Sequence, residues 1–528
     1  MNENQLLLNG LLFLPALGAI LVLLLPAQLR SWGRPLALVF SLGAAVCALV
    51  IAQVFDPLVV PSALSIKATW LPQLGASFAL AVDGLNLPLL LLTAWLTPLV
   101  LIGTWSVRSA QNESGQFKVI PALVLLMETG ALGTFLSQDL LLFYVFWELI
   151  LVPAYLLVGM YGGAQRAKAT LQFFLYTFAG SLLMLLGIVW LIFQQQQATG
   201  VADASIASIT SLSLPFGGPL GGLLSVQGLL FLVFGAAFFI KAPLVPLHGW
   251  MAATYTQAPI AVTIYLAAIL SKMGTYGILK LMLPLFPQAM HAYGPVLMWM
   301  AAAGVIYGAL LALAQKNIKA AIAYSSLSHV SYILLGLFSL QGAGISGSLL
   351  QMVNHGIVIA GLFFLAHCLE ERRGSQLLTD FGGWARATPL LASFLMLFVL
   401  SSVALPGTNG FVGEFMVLIA SFRVNALATA VAAAGMVFGA LYMLNVYQRV
   451  MFGASKVGAA IEQKDLGFAE VLVVTVLGGF VVGIGIAPQP FLSRSVAAVE
   501  TLKQRIAAPV ATSDVQPQVS STQDPIAQ

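Results

Sequence analysis

The chain has 528 residues, of which 60% are apolar and 8% are charged. Soluble globular proteins carry about 25% charged residues, so 22 Lys and Arg with 18 Asp and Glu are too few to cover a soluble protein of this length, and a cytosolic enzyme is excluded. The net charge of +4 is too small and too dispersed for a nucleic-acid-binding protein, and two cysteines do not make a secreted disulfide scaffold.

Long apolar runs fill most of the chain. A membrane-crossing helix needs about 20 apolar residues, and these runs lack the alternation of a membrane β-barrel. We therefore predict an all-α polytopic membrane protein with about 14 transmembrane helices. Residues 57–82, between the second and third runs, are β-branched and interrupted by proline, which predicts a surface hairpin. The fourteen runs lie near residues 6–28, 35–55, 85–105, 119–136, 138–160, 170–193, 223–247, 258–281, 293–314, 318–340, 345–369, 388–420, 425–448 and 467–488.

The distribution of basic residues predicts the orientation in the membrane, because loops rich in Lys and Arg face the cytoplasm. The connections after helices 1, 3, 5, 9, 11 and 13 carry Arg30, Arg34, Arg108, Lys118, Arg166, Lys168, Lys316, Lys319, Arg372, Arg373, Arg386, Arg449, Lys456 and Lys464. The opposite side carries Lys67, Lys280, Arg423, Arg494, Lys503 and Arg505. We therefore expect both termini to lie outside the cytoplasm, and residues 506–528 to form a polar, disordered tail.

Four charged residues lie within predicted helices, where an ionised side chain is costly unless it has a partner or faces water. They are Glu148, Lys241, Lys272 and Glu414. A structural ion pair or a hydrogen bond to the backbone explains any one such residue. Two acids and two lysines on different helices instead favour a proton relay, since burial and mutual interaction shift the proton affinities of such groups. Scattered carboxylates and lysines do not suit a metal site.

Two of these helices are predicted to be broken beside their charged residue. Pro243 and Pro246 follow Lys241, and the segment LPGTNG at 405–410 precedes Glu414. Interrupted, ion-bearing helices at corresponding places in two halves are typical of inverted-repeat transporters.

We accordingly predict five domains or segments. They are N-terminal helices 1–3 with the hairpin at 1–118, a first five-helix repeat at 119–281, a second inverted repeat at 293–450, helix 14 at 467–490 and the tail at 506–528.

Three histidines complete the candidate relay. His248, His329 and His355 are each explained by an ordinary buried hydrogen bond, yet together they can link the two halves with groups that both donate and accept protons. Glu128 lies within an apolar run and has no evident partner. Asp83 and Asp139 precede predicted helices, where an acid caps the N-terminus.

Several stretches, in this order, resemble the antiporter-like membrane subunits of proton-pumping NADH–quinone oxidoreductase, respiratory complex I. The resemblance covers about Asp83 to Phe452. It rests on VDGLNLPL, DLLLFYVFWELILVPAYLLVGMYGG, KAPLVPLHGW, ILSKMGTYG, IAYSSLSHVSYILLG, QMVNHG and LPGTNGFVGEF.

By this resemblance, the family's ionisable residues match Glu148, Lys241, Lys272, His329, His355 and Glu414. The glutamate at 414, where sister subunits carry lysine, indicates one particular member of the family. One segment departs from the family pattern W-L-P-D-A-H-x-E-A-P: Ala253, Tyr255 and Gln257 replace its acid, histidine and second acid. This difference puts the usual arrangement at the start of the eighth helix in question, and a divergent paralogue serving a specialised complex is an alternative.

The resemblance implies a subunit that moves protons across the membrane while partner subunits reduce quinone with NADH or NADPH. It implies no cofactor in this chain, and FMN, iron–sulfur clusters and quinone in membrane and peripheral partner subunits, including neighbouring antiporter-like subunits. It implies a bacterial inner membrane, or a thylakoid membrane in a photosynthetic source. Two alternatives stay open: a subunit of a sodium/proton antiporter, and a membrane subunit of a hydrogenase or carbon-dioxide-hydrating complex.

Overall fold

The computed structural model describes residues 3–59, 64–105, 113–454 and 464–507, and of residues 113–117 only the backbone. Within these ranges, eleven helices are long and apolar enough to cross a membrane. They are Glu3–Leu24, Ala27–Val54, Lys118–Leu136, Leu140–Tyr161, Arg166–Thr199, Ile260–Leu285, Pro287–Leu313, Ile318–Phe338, Gly342–Arg373, Ala426–Met451 and Phe468–Ile486. The prediction of a helical, polytopic membrane protein is confirmed.

Shorter helices complete this part of the chain. Four of them are apolar: Leu87–Gly103, Val226–Lys241, Pro389–Ser402 and Asn409–Phe422. The others include Ile206–Ile209, Met251–Gln257, Gln489–Leu492 and Val496–Ala507. Two predicted runs are therefore shorter as helices than their apolar length indicates: the run 223–247 stops being helical at Lys241, and the run 388–420 divides in two.

The predicted hairpin is present. Strand Ser65–Leu71 pairs antiparallel with strand Ala76–Ala81. Gly75 closes the turn with φ 64°, a left-handed conformation that favours glycine, and a Cβ there would lie 2.2 Å from the Ala202 carbonyl. The second strand is largely buried and the first largely exposed, so the hairpin covers one end of the bundle.

The helices divide into central and peripheral ones. Between Ile260 and Leu285 nearly every side chain is buried, and helix Gly342–Arg373 is similarly enclosed. Helix Arg166–Thr199 is peripheral and exposes a row of apolar side chains that includes Leu171, Leu175 and Leu186. Apolar side chains on the outer surface are suited to lipid or to a partner subunit.

Most basic residues of the connections gather at one end of the bundle, which we call the basic end. Arg34, Lys319 and the loop at Gly162 and Gly163 line one cavity there. Of the basic residues assigned to this side from the sequence, Arg108 and Lys456 fall outside the described ranges. The tail at 508–528 does so too, so the prediction of disorder there stays a prediction.

The expected helix caps are present. Asp139 accepts hydrogen bonds from the backbone N–H groups of Leu141 and Leu142, at 3.0 and 3.1 Å. Asp83 accepts from the N–H groups of Leu85 and Asn86 and also pairs with Lys280 at 2.6 Å. The second contact makes Asp83 a tie between two helices as well as a cap.

Candidate functional site

Six of the seven predicted site residues lie inside the bundle, where they form two clusters. The first, the Lys241 cluster, contains Lys241 and Glu148. The second, the His329 cluster, contains Lys272, His355, His329 and Glu414. All but Glu148 are more than nine-tenths buried, so each must find a partner within the protein.

In the first cluster, Lys241 is the last residue of its helix and is 3% exposed. Its ammonium donates to the Trp147 carbonyl at 2.9 Å and lies 3.5 Å from the centroid of the Trp147 ring. Glu148, the next residue after Trp147, interacts electrostatically with Lys241 and with Ser181. The ammonium thus contacts the backbone beside Glu148, and the carboxylate stays near enough to influence its charge.

The helix break at Lys241 has local causes. Pro243 and Pro246 have no N–H to continue the helical hydrogen bonds. The Trp250 indole N–H donates to the Ile240 carbonyl at 2.9 Å, which satisfies an acceptor freed by the break. Gly274 allows close packing here, because a Cβ at that position would lie 2.5 Å from the Ala242 backbone nitrogen.

In the second cluster, Lys272 lies between two π-helical stretches, Leu266–Leu270 and Ile278–Met282. Its ammonium contacts His355 Nδ1 and donates to the Ala267 carbonyl at 2.9 Å. A π-helical turn leaves carbonyl groups without their usual α-helical partner, and such turns are frequent at functional sites. The irregular helix therefore supplies a backbone ligand for the buried ammonium.

His355 connects Lys272 to His329, since the centroids of the two imidazole rings are 6.0 Å apart. His329 Nδ1 lies 2.7 Å from Glu414 Oε1, and its Nε2 lies 3.1 Å from the Ser402 hydroxyl. Gln351 Nε2 also donates to Glu414, at 3.1 Å. Lys272, His355, His329 and Glu414 thus form one string of ionisable groups across four helical segments.

The second helix break positions Glu414. Gly407 adopts φ 92°, in the left-handed region that favours glycine. The Ser401 hydroxyl donates to the Asn409 side chain at 2.6 Å, and the Asn354 amide donates to the Asn409 carbonyl at 2.8 Å. These hydrogen bonds join the ends of the break to helix Gly342–Arg373 and fix Glu414 opposite His329.

His248 does not join either cluster within the described residues. It lies in the turn after Lys241, half-buried, with its ring 5.3 Å from the Tyr307 ring. Burial lowers the pKa of His248, which favours the neutral imidazole. The sequence interpretation placed this histidine in the relay because it follows Lys241 by two helical turns, but the break removes that periodicity.

The replaced segment 253–257 has structural as well as polar roles. Tyr255 is fully buried against Trp250 and Phe363, and its hydroxyl donates to the Leu266 carbonyl at 3.3 Å. Gln257 accepts from the Gln165 backbone N–H at 2.9 Å. Tyr255 thus satisfies a carbonyl of the π-helical stretch, and Gln257 joins two loops at the basic end.

Residues 137–447 match the family described as NADH:quinone oxidoreductase/Mrp antiporter, TM. The match spans more than half of the chain and includes every residue of both clusters. The chain belongs to this family. Within it, the broken helices at Lys241 and before Glu414 and the string from Lys272 to Glu414 all fall inside the matched region.

Relatives and a solved structure are similar over most of the chain. NADH-quinone oxidoreductase subunit M of Rickettsia bellii is 37% identical over 83% of this chain and 85% of its own length. NADH-ubiquinone oxidoreductase chain 4 of Marchantia polymorpha is 35% identical over 94% of this chain and 97% of its own. A chain of respiratory complex I from Thermus thermophilus matches with a TM-score of 0.84 and 28% identity, covering 95% of this chain and all of that one. Glu414 indicates the same family member as these names, subunit M.

Proposed function

We propose that this chain is the proton-translocating membrane subunit of an NAD(P)H–quinone oxidoreductase. The observation that carries the proposal is the continuous string of Lys272, His355, His329 and Glu414 in the interior of a membrane protein. Each member can gain and lose a proton, and neighbouring members are in contact or one ring apart. The names of the relatives supply the reaction to which such a string would be coupled.

We further propose fourteen crossings in two inverted repeats. The eleven long helices, the shorter helices Leu87–Gly103 and Val226–Lys241, and the broken pair Pro389–Ser402 with Asn409–Phe422 supply that number. In the repeats at 119–281 and 293–450, the fourth of five helices is the broken one. An odd number of crossings reverses the direction of the chain, so the second repeat would be inverted relative to the first.

Transfer would begin at the Lys241 cluster. A nearby carboxylate favours the protonated form of an amine, and withdrawal of the carboxylate weakens that preference. Lys241 stands at the end of a helix interrupted by prolines, so movement at the break would change its distance from Glu148. The proton on Lys241 would be held when the pair closes and released when it separates.

The proton would then cross the centre of the bundle along the His329 cluster. Lys272 gives a proton to His355 Nδ1, the ring passes one from its Nε2 towards His329, and Glu414 accepts it from His329 Nδ1. A histidine accepts at one nitrogen and donates at the other, so two rings in sequence transmit protons without moving the helices. Glu414 would hold the proton before its release.

The redox chemistry would take place in partner subunits. We propose that these carry FMN, iron–sulfur clusters and the quinone site, and that this chain contributes only acid–base groups. Purification of the complex through a tag on this chain tests the assignment. We expect flavin and iron–sulfur absorbance together with NAD(P)H-dependent quinone reduction. Purified material with neither absorbance would instead indicate a sodium/proton antiporter, and nickel a hydrogenase, so either result would contradict the proposal.

The basic end is proposed to face the cytoplasm of a bacterium, with both chain termini on the other side. In a background without Cys47 and Cys368, a cysteine introduced by Leu377→Cys should react with an impermeant thiol reagent only from the cytoplasmic side. Leu377 is suitable because its side chain is 46% exposed at the basic end. Ser213→Cys, at the opposite end, is the matched control and should react only from outside. The reverse pattern would contradict this orientation.

A further inference from the structure

A cavity of about 460 Å³ opens at the basic end, apart from both clusters. It is lined in part by Gln257, Lys319, His367, Glu370 and Glu371. Lys319 forms an ion pair with Glu370. His367 Nδ1 lies 3.8 Å from Glu370 and Nε2 lies 3.6 Å from Glu371. The cavity is therefore polar, large enough for several water molecules, and contains groups that exchange protons.

Beneath this cavity, three helices each place a polar residue one turn deeper than a residue of its lining. Glu128 follows Val124, Thr97 precedes Leu101, and Tyr265 follows Ala261, in each case by four residues. The Thr97 and Tyr265 hydroxyl oxygens are 3.2 Å apart. We call Thr97, Glu128 and Tyr265 the Glu128 layer.

Glu128 is the unusual member of this layer. Its side chain is fully buried, and neither carboxyl oxygen has a direct hydrogen-bond partner within the described part of the chain. Thr97 and Tyr265 are the polar groups that it faces. A buried polar group without a partner destabilises a fold, and the mechanism derived above does not use Glu128. A carboxyl group placed directly below a polar cavity is suited to proton exchange with that cavity.

The Glu128 layer also lies close to Lys272. The Lys272 ammonium reaches back along its helix to the Ala267 carbonyl, only two residues after Tyr265. On the next helix, Thr97 is five residues from Leu92, a rise of about 7.5 Å. A Cβ on Gly356, beside His355, would meet both Leu92 and the Ala268 carbonyl. The layer is thus about one to two helical turns from the contact between Lys272 and His355.

We propose that the cavity and the Glu128 layer form a proton uptake route to Lys272, separate from the Lys241 cluster. A proton from water or from His367 in the cavity is taken up by the Glu128 carboxylate. The resulting carboxylic acid gives that proton to the neutral amine of Lys272 and becomes a carboxylate again, so one proton and one positive charge move inward. The inference rests on the proposed function, since it needs Lys272 to be a relay group.

The test uses the complete complex in vesicles, with quinone reduction and acidification recorded together. Lys241→Ala first establishes how far the ratio of protons to quinone falls when this chain does not pump. Glu128→Gln keeps the size of the side chain and removes its proton exchange, so we expect the same fall. The control Thr134→Val removes a buried hydroxyl of the same helix that bonds only to the Gly130 carbonyl, and its ratio should equal that of the wild type.

A second variant tests the cavity without altering the buried layer. In the background without native cysteines, Thr256→Cys lies in the cavity wall and should lower the ratio once a bulky thiol reagent is attached. Modified Ser213→Cys should not lower it. Full pumping by both Glu128→Gln and modified Thr256→Cys, with pumping lost in Lys241→Ala, would overturn the uptake route and leave the proposed function standing. Full pumping by Lys241→Ala as well would overturn both.

Discussion

Lys241→Ala is expected to lower proton translocation by this chain by about 10²-fold or more, the usual contribution of a positioned acid–base group. The substitution removes the ammonium that lies against Trp147 and interacts with Glu148. Assembly should persist, because the Trp250 indole and Gly274 stabilise the helix break independently of the lysine side chain. The measurement is protons released per quinone reduced in vesicles.

Glu148→Gln should have nearly the same effect as Lys241→Ala. The amide keeps the size of the side chain and can still bond to Ser181, but it has no charge with which to change the proton affinity of Lys241. Since the two residues act as a unit, the double variant should be no worse than either single one. Lys280→Met is the matched control: it removes a lysine that pairs with Asp83, away from both clusters, and should retain pumping. A double variant with additive losses would contradict the pairing.

Substitutions of Glu414 are expected to have graded effects. Glu414→Ala leaves His329 Nδ1 and the Gln351 amide without their shared acceptor and ends the string of proton-exchanging groups. A loss of about 10²-fold is again expected. Glu414→Lys should be milder, because a lysine also exchanges a proton and the neutral His329 ring can accept from it. Equal loss in the alanine and lysine variants would show that position 414 needs a carboxylate for its shape or charge and not as a proton carrier.

Much of the architecture could be predicted from the sequence because membrane crossing and helix breaks have local causes. Apolar runs indicated the helices, and the prolines after Lys241 and the LPGTNG segment before Glu414 indicated the two breaks. Asp139 capped its helix as expected, since a cap needs only the residue and the next two N–H groups. These features depend on neighbours in the chain.

The contacts that make the site could not be predicted in this way. His355 meets Lys272 across 83 residues, and His329 meets Glu414 across 85. No local pattern indicated the π-helical stretch whose carbonyls face Lys272 and Tyr255. Glu128 was recognisable as a buried acid, but its position below the cavity depends on three helices at once. His248 was misleading because helical spacing was applied across a break.

Simultaneous recording of quinone reduction and vesicle acidification, in a sodium-free medium, tests the central claim most directly. With the wild-type complex and Lys241→Ala side by side, the account predicts that both reduce quinone and that the variant releases fewer protons per quinone. The sodium-free medium separates proton transfer from sodium/proton exchange. An unchanged ratio in Lys241→Ala would contradict the relay and would leave Lys241 and Glu148 as a structural pair.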